Sequence, residues 1–198
     1  NDASFRSYAR IKDGKNDYIL MDAPPDKESI TEFILVDEYL NSIHLNAPKI
    51  ITKDIDNGFL LLEDFGDNLF SNEVKSLSID EEEKLYKKAI DILIHLHKSE
   101  VCSAIPEYND GVLMRELMLL PEWFLPLYFE GDRLKKLSEE FQDIAQKHIL
   151  PNCHMFKPVT VLRDYHADNI MIMKNGDMGL LDFQDALIGS PAYDVVSL

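Results

Sequence analysis

Apolar and polar residues alternate with a period of two in two early stretches, SFRSYARI (4–11) and DYILMDA (17–23). Such alternation predicts two strands, and Asp13-Gly14 in the loop 12–16 predicts a hairpin between them. The period then changes. Phe33, Val36, Leu40 and Ile43 recur at helical spacing, and Ser29 with Glu32 has the spacing of a capping box, so a helix is expected over 29–44. PKIITKD and GFLLLED read as a second hairpin turning at Asp56-Asn57-Gly58. Residues 1–66 thus read β-β-α-β-β, with one more strand expected before Asn1.

After Gly66 the pattern is helical. Ser78 and Glu81 form a second capping-box spacing, followed by an apolar stripe at Leu85, Ala89, Ile92, Leu93 and Leu96. DGVLMRELMLLPEWFLPLYF (110–129) is rich in Leu, Met and aromatics, and GDRLKKLSEEFQDIAQKHIL (131–150) is patterned as an amphipathic helix. Three short apolar runs close the chain: VTVL, IMIMK and MGLLD, the last two flanking an Asn175-Gly176 turn. The expected fold class is α+β: an antiparallel β lobe (1–66) and a helical lobe (67–198) that holds a hairpin. A first residue other than Met, and a final YDVVSL that opens an apolar helix without finishing it, suggest a piece of a longer protein.

Composition narrows the partners. The 198 residues are 45% hydrophobic, enough for a substantial core. The net charge of −16 repels phosphate backbones, so neither nucleic acid nor an anionic membrane is an expected partner. Any bound polyphosphate would need cations beside it. No apolar run is long enough for a transmembrane helix. Cys102 and Cys153 lie in no metal-binding spacing and read as the reduced thiols of a cytoplasmic protein.

The densest polar cluster is VLRDYHADN (161–169), set between two apolar runs. Asp164 and Asn169 are five residues apart, and Asp182 follows Asn169 by 13 at the end of the next run. If the two strands pair, all three converge at one edge. Carboxylate and amide oxygens there suit Mg²⁺, and a carboxylate kept free of the metal would accept a proton from a hydroxyl. The alternative for each residue alone is a turn cap or a solvated strand end.

The D-x-x-x-x-N spacing followed by a strand and D-F is the layout of kinase-like catalytic segments. LRDYHADN with LLDFQDA resembles the aminoglycoside phosphotransferase/choline kinase-like superfamily. His166 two residues after Asp164, and GSPAYD soon after Asp182-Phe183, carry that resemblance; the D-F-G and A-P-E of protein kinases are absent. NDASFRSYARI, YILMDAPPDKE, GFLLLEDFGD and RELMLLPEWFL further resemble the bacterial kinases of N-acetylmuramate and N-acetylglucosamine, which act on the anomeric hydroxyl in cell-wall sugar recycling.

The resemblance implies a two-lobed protein-kinase-like fold, ATP and Mg²⁺ as cofactors, and a small sugar as acceptor. It implies Asp164 as the base, with Asn169 and Asp182 as metal ligands. It places the nucleotide against Ser4, Phe5 and Arg6 of the phosphate-covering loop, Ile19 of the wall, and Glu63, Asp64 and Phe65 of the hinge. Most of the superfamily carries a phosphate-binding lysine on the third strand. Here Met21 or Asp22 stands in that position, leaving Arg6, Arg10 or Lys27 to substitute. Arg163 is expected to support the loop or meet a phosphate, His166 to shape the turn, and Asp194 to act as an N-cap or loop anchor. Acceptor candidates are Arg115, Glu116 and Trp123, against the alternative that this segment packs the helical lobe. Rival readings are another acceptor, an aminoglycoside or choline, or a nucleotide-binding regulatory module without turnover.

Overall fold

The computed structural model describes residues 5–14 and 16–198. β1 (Ser7–Lys12) and β2 (Asp17–Asp22) form an antiparallel hairpin, with Ser7 opposite Asp22 and Lys12 opposite Asp17. Asp13 braces the turn by accepting the Asn16 N–H at 2.9 Å. Helix α1 (Thr31–Ser42) follows, then β3 (Ile50–Asp54) and β4 (Phe59–Glu63), giving a four-stranded antiparallel sheet in the order β1-β2-β4-β3. Gly58 adopts φ +76°, and a Cβ there would overlap the Ala23 carbonyl oxygen, so the second hairpin requires glycine at this position.

α1 starts at Thr31, two residues later than its expected start, and the Ser29/Glu32 capping box does not form. Ile30 is the N-cap, and Ser29 Oγ instead accepts the Thr31 N–H at 3.2 Å. Ile30 is only 4% exposed. Burying it fixes where the helix begins, and this outweighs the smaller gain of a side-chain cap.

The second half opens with α2 (Phe70–Glu73) and α3 (Ile79–Lys98). The Ser78/Glu81 box does form at α3, with Glu81 accepting the Ser78 N–H at 3.0 Å. Asn109 caps α4 (Asp110–Leu119) through the Val112 N–H. Beyond it the chain loosens into a π turn at Leu120–Phe124 and a 3-10 turn at Leu125–Leu127, because Pro121 and Pro126 supply no N–H to a regular ladder. The amphipathic stretch becomes α5 (Gly131–Ile144), which runs through a π turn into the short α6 (Leu150–Cys153) at Pro151.

The short strands pair differently from their order in the chain. β6 (Ile170–Ile172) pairs with β7 (Met178–Leu180) in the expected hairpin. β5 (Val159–Val161) pairs instead with β8 (Leu187–Gly189), a strand too short to show in the pattern. The chain closes with α7 (Ala192–Ser197).

One core joins sheet and helices. Phe33 and Val36 of α1, Met21 and Leu60 of the sheet, and Leu93, Leu180 and Phe183 of the second half belong to a single buried cluster. Polar bonds stitch the same seam. The buried Tyr39 hydroxyl contacts the Glu100 carbonyl and Thr160 Oγ1, each at 3.1 Å. Asn46 accepts the Leu180 N–H at 2.8 Å and donates to the Met178 carbonyl at 2.9 Å. The segment between α1 and β3 is therefore tied to the β6–β7 hairpin, and α1 itself to the Glu100 carbonyl and β5.

Asp37 is an expensive member of this core. It is 2% exposed, Asn41 donates to its Oδ1, and its Oδ2 is buried with no partner among the described residues. Burial raises its pKa to about 7, against the opposing Asn41 bond. An acid with a raised folded pKa binds more protons folded than unfolded. Stability is therefore greatest below about pH 4 as far as this group is concerned, and falls as pH rises towards 7. Asp37→Asn should stabilise the fold by about 1–3 kcal/mol at pH 8, with the difference shrinking towards pH 4. Urea unfolding of both proteins at several pH values measures this; parallel pH profiles would show that Asp37 is not the group responsible.

Candidate active site

The β6–β7 ladder assembles the polar cluster. Pairing Ile170 with Leu180 makes Asn169 and Leu181 neighbours, and the Leu181 N–H donates to the Asn169 carbonyl at 2.9 Å. Asn169 Nδ2 then lies 3.0 Å from the Asp164 carbonyl and 3.5 Å from Asp182 Oδ2. Asp164, Asn169 and Asp182 are thus brought together, as their spacing predicts. Within the loop, Asp164 and His166 carbonyls accept the His166 and Asn169 N–H groups, each at 2.9 Å. Tyr165 is buried and donates to the Ala89 carbonyl at 2.8 Å, which roots the loop on α3.

A second anchor comes from α7. Asp194 is fully buried and accepts the N–H groups of Leu162 and Arg163, at 2.8 and 2.9 Å. It lies inside the helix, whose N-cap is Pro191, so of its two expected roles it fills that of loop anchor. Burial raises its pKa to about 6 even though the two N–H bonds oppose the shift. The anchor holds an unfavourable backbone: Arg163 has φ +74°, and Asp182 across the site has φ +56°.

A cleft of about 1130 Å³ opens beside these residues. Tyr8, Ile19 and Leu62 of the sheet line one wall, Glu63 to Gly66 the connecting segment, and Met171, Leu181 and Phe183 the other wall. That size and concavity suit a nucleotide-sized ligand. Gly179 matters here, because a Cβ would overlap the Phe65 ring that packs on β7. Seven carboxylates line the cleft (Glu28, Glu32, Glu63, Asp64, Asp168, Asp182 and Asp185) against the single arginine Arg6, among the described residues. A polyanion could enter only with added cations. The exposed Asp182 carboxylate and the half-buried Asn169 side-chain oxygen are hard donors, a set that suits Mg²⁺.

Of the nucleotide candidates, Arg6, Ile19, Glu63, Asp64 and Phe65 line the cleft. Ser4 lies outside the described residues. Phe5 is 59% exposed and its ring packs under Lys27 Nζ at 4.9 Å; its N–H donates to Glu28 Oε1 at 2.5 Å. Glu28 Oε2 also pairs with Arg6 Nε at 2.7 Å. Of the two positions where the lysine is expected, Met21 is fully buried in the core and Asp22 is half-buried. Arg10 brackets the hinge: it meets Asp64 at 2.6 Å, Asp67 at 2.7 Å and the Gly66 carbonyl at 3.1 Å. The Asp64 carboxylate is thus held by Arg10.

Asp164 is exposed and adjoins the cleft through His166 and Asn169, which line it. Its pKa is raised by partial burial and then by Asp182, against Arg163 and His166. Of the three acceptor candidates, Arg115 is exposed, Trp123 is 74% exposed, and the Glu116 carboxylate meets Arg163 and the Tyr108 hydroxyl. Sequence reasoning missed Gln184, whose Nε2 bridges Asp182 Oδ1 at 2.9 Å and Asp185 Oδ2 at 3.3 Å. Its place inside DFQD was the available signal. Tyr8 and Tyr108 carried none, because their roles depend on strand pairing.

Known proteins match this arrangement. Residues 1–198 match the model of a family described as phosphotransferase enzyme family. The chain is 36% identical over 202 residues to an N-acetylmuramate/N-acetylglucosamine kinase of Pseudomonas aeruginosa, and 34% identical over 200 residues to one of Neisseria meningitidis. Both matches cover all of this chain, which spans 57% and 58% of those relatives. An ADP-bound aminoglycoside phosphotransferase shares the fold at TM-score 0.68 and 18% identity, covering 95% of this chain and 69% of its own. A choline kinase of Streptococcus pneumoniae does so at TM-score 0.66 and 16% identity, covering 96% of this chain and 64% of its own.

Asp194→Ala should strand two buried N–H groups and destabilise the protein by about 2–4 kcal/mol, while Asp194→Asn, which keeps one acceptor oxygen, should cost less. Urea midpoints of both variants test this; midpoints equal to the parent's would remove Asp194 as the anchor.

Proposed function

The chain belongs to the phosphotransferase enzyme family, and we propose that it acts as an ATP- and Mg²⁺-dependent kinase of N-acetylmuramate and N-acetylglucosamine, phosphorylating the anomeric hydroxyl in cell-wall sugar recycling. The observation that carries this reading is the convergence of Asp164, Asn169 and Asp182 beside an acidic, nucleotide-sized cleft. The names of the matched relatives support the acceptor class.

In this reading the Asp164 carboxylate orients the sugar hydroxyl and takes its proton. The hydroxyl oxygen forms the new bond to the γ-phosphorus as the bond to ADP breaks, giving ADP and a sugar 1-phosphate. Asn169 and Asp182 would hold Mg²⁺, which when bound supplies the positive charge that the seven carboxylates of the cleft lack. Asn169 also fixes the backbone next to the base, since its Nδ2 donates to the Asp164 carbonyl. Ile19 and Leu62 offer apolar walls for the base, and the backbone of Glu63 to Phe65 offers its polar edge. Arg6, oriented by Glu28, stands in for the missing strand lysine at the phosphates. Substrate, nucleotide and metal are the partners this requires, with no nucleic acid or membrane.

Purified protein with MgATP and a panel of N-acetylmuramate, N-acetylglucosamine, glucosamine, choline and kanamycin tests the proposal. ADP release should require an N-acetyl amino sugar, give an acid-labile 1-phosphate, and fall by about 10²–10⁴ in Asp164→Asn. Turnover with kanamycin or choline alone would overturn the acceptor, and MgATP binding without turnover would favour the regulatory module. Arg6→Ala should raise the KM for ATP by about 10–100-fold, the scale of a charge-assisted bond. An unchanged KM would remove Arg6 from the phosphate site.

A further inference from the structure

Arg163 precedes the base, yet its side chain runs away from the cleft towards α4. Its Nη2 meets Glu116 Oε1 at 2.6 Å, and the Tyr108 hydroxyl donates to Glu116 Oε2. The guanidinium also stands 5.9 Å from the Tyr108 ring centre, and that ring packs 5.5 Å from Tyr193. Tyr193 adjoins Asp194, which holds the Arg163 N–H. The contacts close a circuit from the loop through Arg163, Glu116, Tyr108, Tyr193 and Asp194 back to the loop.

The circuit is built into the fold. The Tyr108 N–H donates to the Ile188 carbonyl at 2.9 Å, and a Cβ at Gly189 would crowd the Tyr108 side chain at 2.9 Å. Both Glu116 oxygens are engaged within the protein. Arg163 Nε is buried without a partner among the described residues, and Glu116 is the carboxylate in ion-pair contact with the guanidinium, while Asp185 and Asp164 act on it from further away.

We propose that Glu116 is a positioning residue for the transfer step: acting through Arg163, it holds the strained loop so that Asp164 faces the acceptor. This rests on the kinase reading above. α4 carries Glu116 and leads into the Trp123 segment, so the same contact would join the acceptor side of the protein to the base.

The test compares the parent protein with Glu116→Gln, Tyr108→Phe, Arg163→Met and the Glu116→Gln/Arg163→Met double variant. Steady-state kinetics with MgATP and N-acetylmuramate would be paired with hydrogen exchange of residues 161–169. Glu116→Gln should lower kcat by about 10–100-fold, the scale of a misplaced catalytic group, while acceptor KM and MgATP affinity change by less than about 2-fold. The double variant should be no slower than the worse single variant, and Tyr108→Phe should fall between parent and Glu116→Gln. Loop amides should exchange about 10-fold faster in Glu116→Gln, with the sheet unchanged. A raised sugar KM with unchanged kcat, additive losses, or unaltered loop exchange would each overturn the proposal. If the parent itself turns over no sugar, the kinase reading fails separately, and loop exchange still decides whether Glu116 holds the loop.

Discussion

The buried carboxylate of Asp194 is the constraint on which the site depends. Two adjacent backbone N–H groups, those of Leu162 and Arg163 in the loop after β5, point at one carboxylate from α7. A free loop would relax out of a φ of +74° at a non-glycine residue, because that region is sterically costly. The charged acceptor holds it there, and the loop then emerges from β5 at an angle that sets Asp164 beside the β6–β7 hairpin. Tyr165 on α3 and Arg163 on Glu116 fix the same segment from two more directions. In the proposed kinase, a base that must stay within hydrogen-bond reach of a hydroxyl would gain from this redundancy, since reaction rates respond steeply to small displacements.

Charge sets the second constraint. A net charge of −16 and a cleft lined by seven carboxylates oppose a polyphosphate at every approach. The available cations are used sparingly. Arg10 is spent on Asp64, Asp67 and the Gly66 carbonyl, where it braces the hinge. Arg6 lines the cleft with its guanidinium oriented by Glu28. If Met21 rather than Asp22 holds the lysine position, its burial explains why a strand lysine would gain little here. That side chain packs in an apolar core, where a charge would meet a desolvation cost. In the proposed kinase the polar role would pass to Arg6, before β1, and to a bound metal.

Much of this was legible in the residues themselves. The two hairpins of the sheet, the stripe of α3 and its Ser78 cap follow from local periodicity and side-chain reach, which are properties of neighbours in the chain. The spacing of Asp164, Asn169 and Asp182 foretold their meeting, because a hairpin of known register converts distance along the chain into distance in space. What depends on remote partners was not legible. Ser29 and Glu32 matched a cap, but burial of Ile30 moved the helix start. Three-residue β8 exists because β5 offers it an edge. Trp123 read as a packing or stacking residue and stands 74% exposed. Glu116 is an acceptor candidate by its place in the chain, and only the folded chain reveals that Arg163 and Tyr108 meet its carboxylate. The sequence by itself determined which groups could do the chemistry, since side-chain type and local period are written there. The tertiary structure alone decided which of them are held, by what, and facing where, because a buried charge takes its partner from whatever segment the packing brings within about 3 Å.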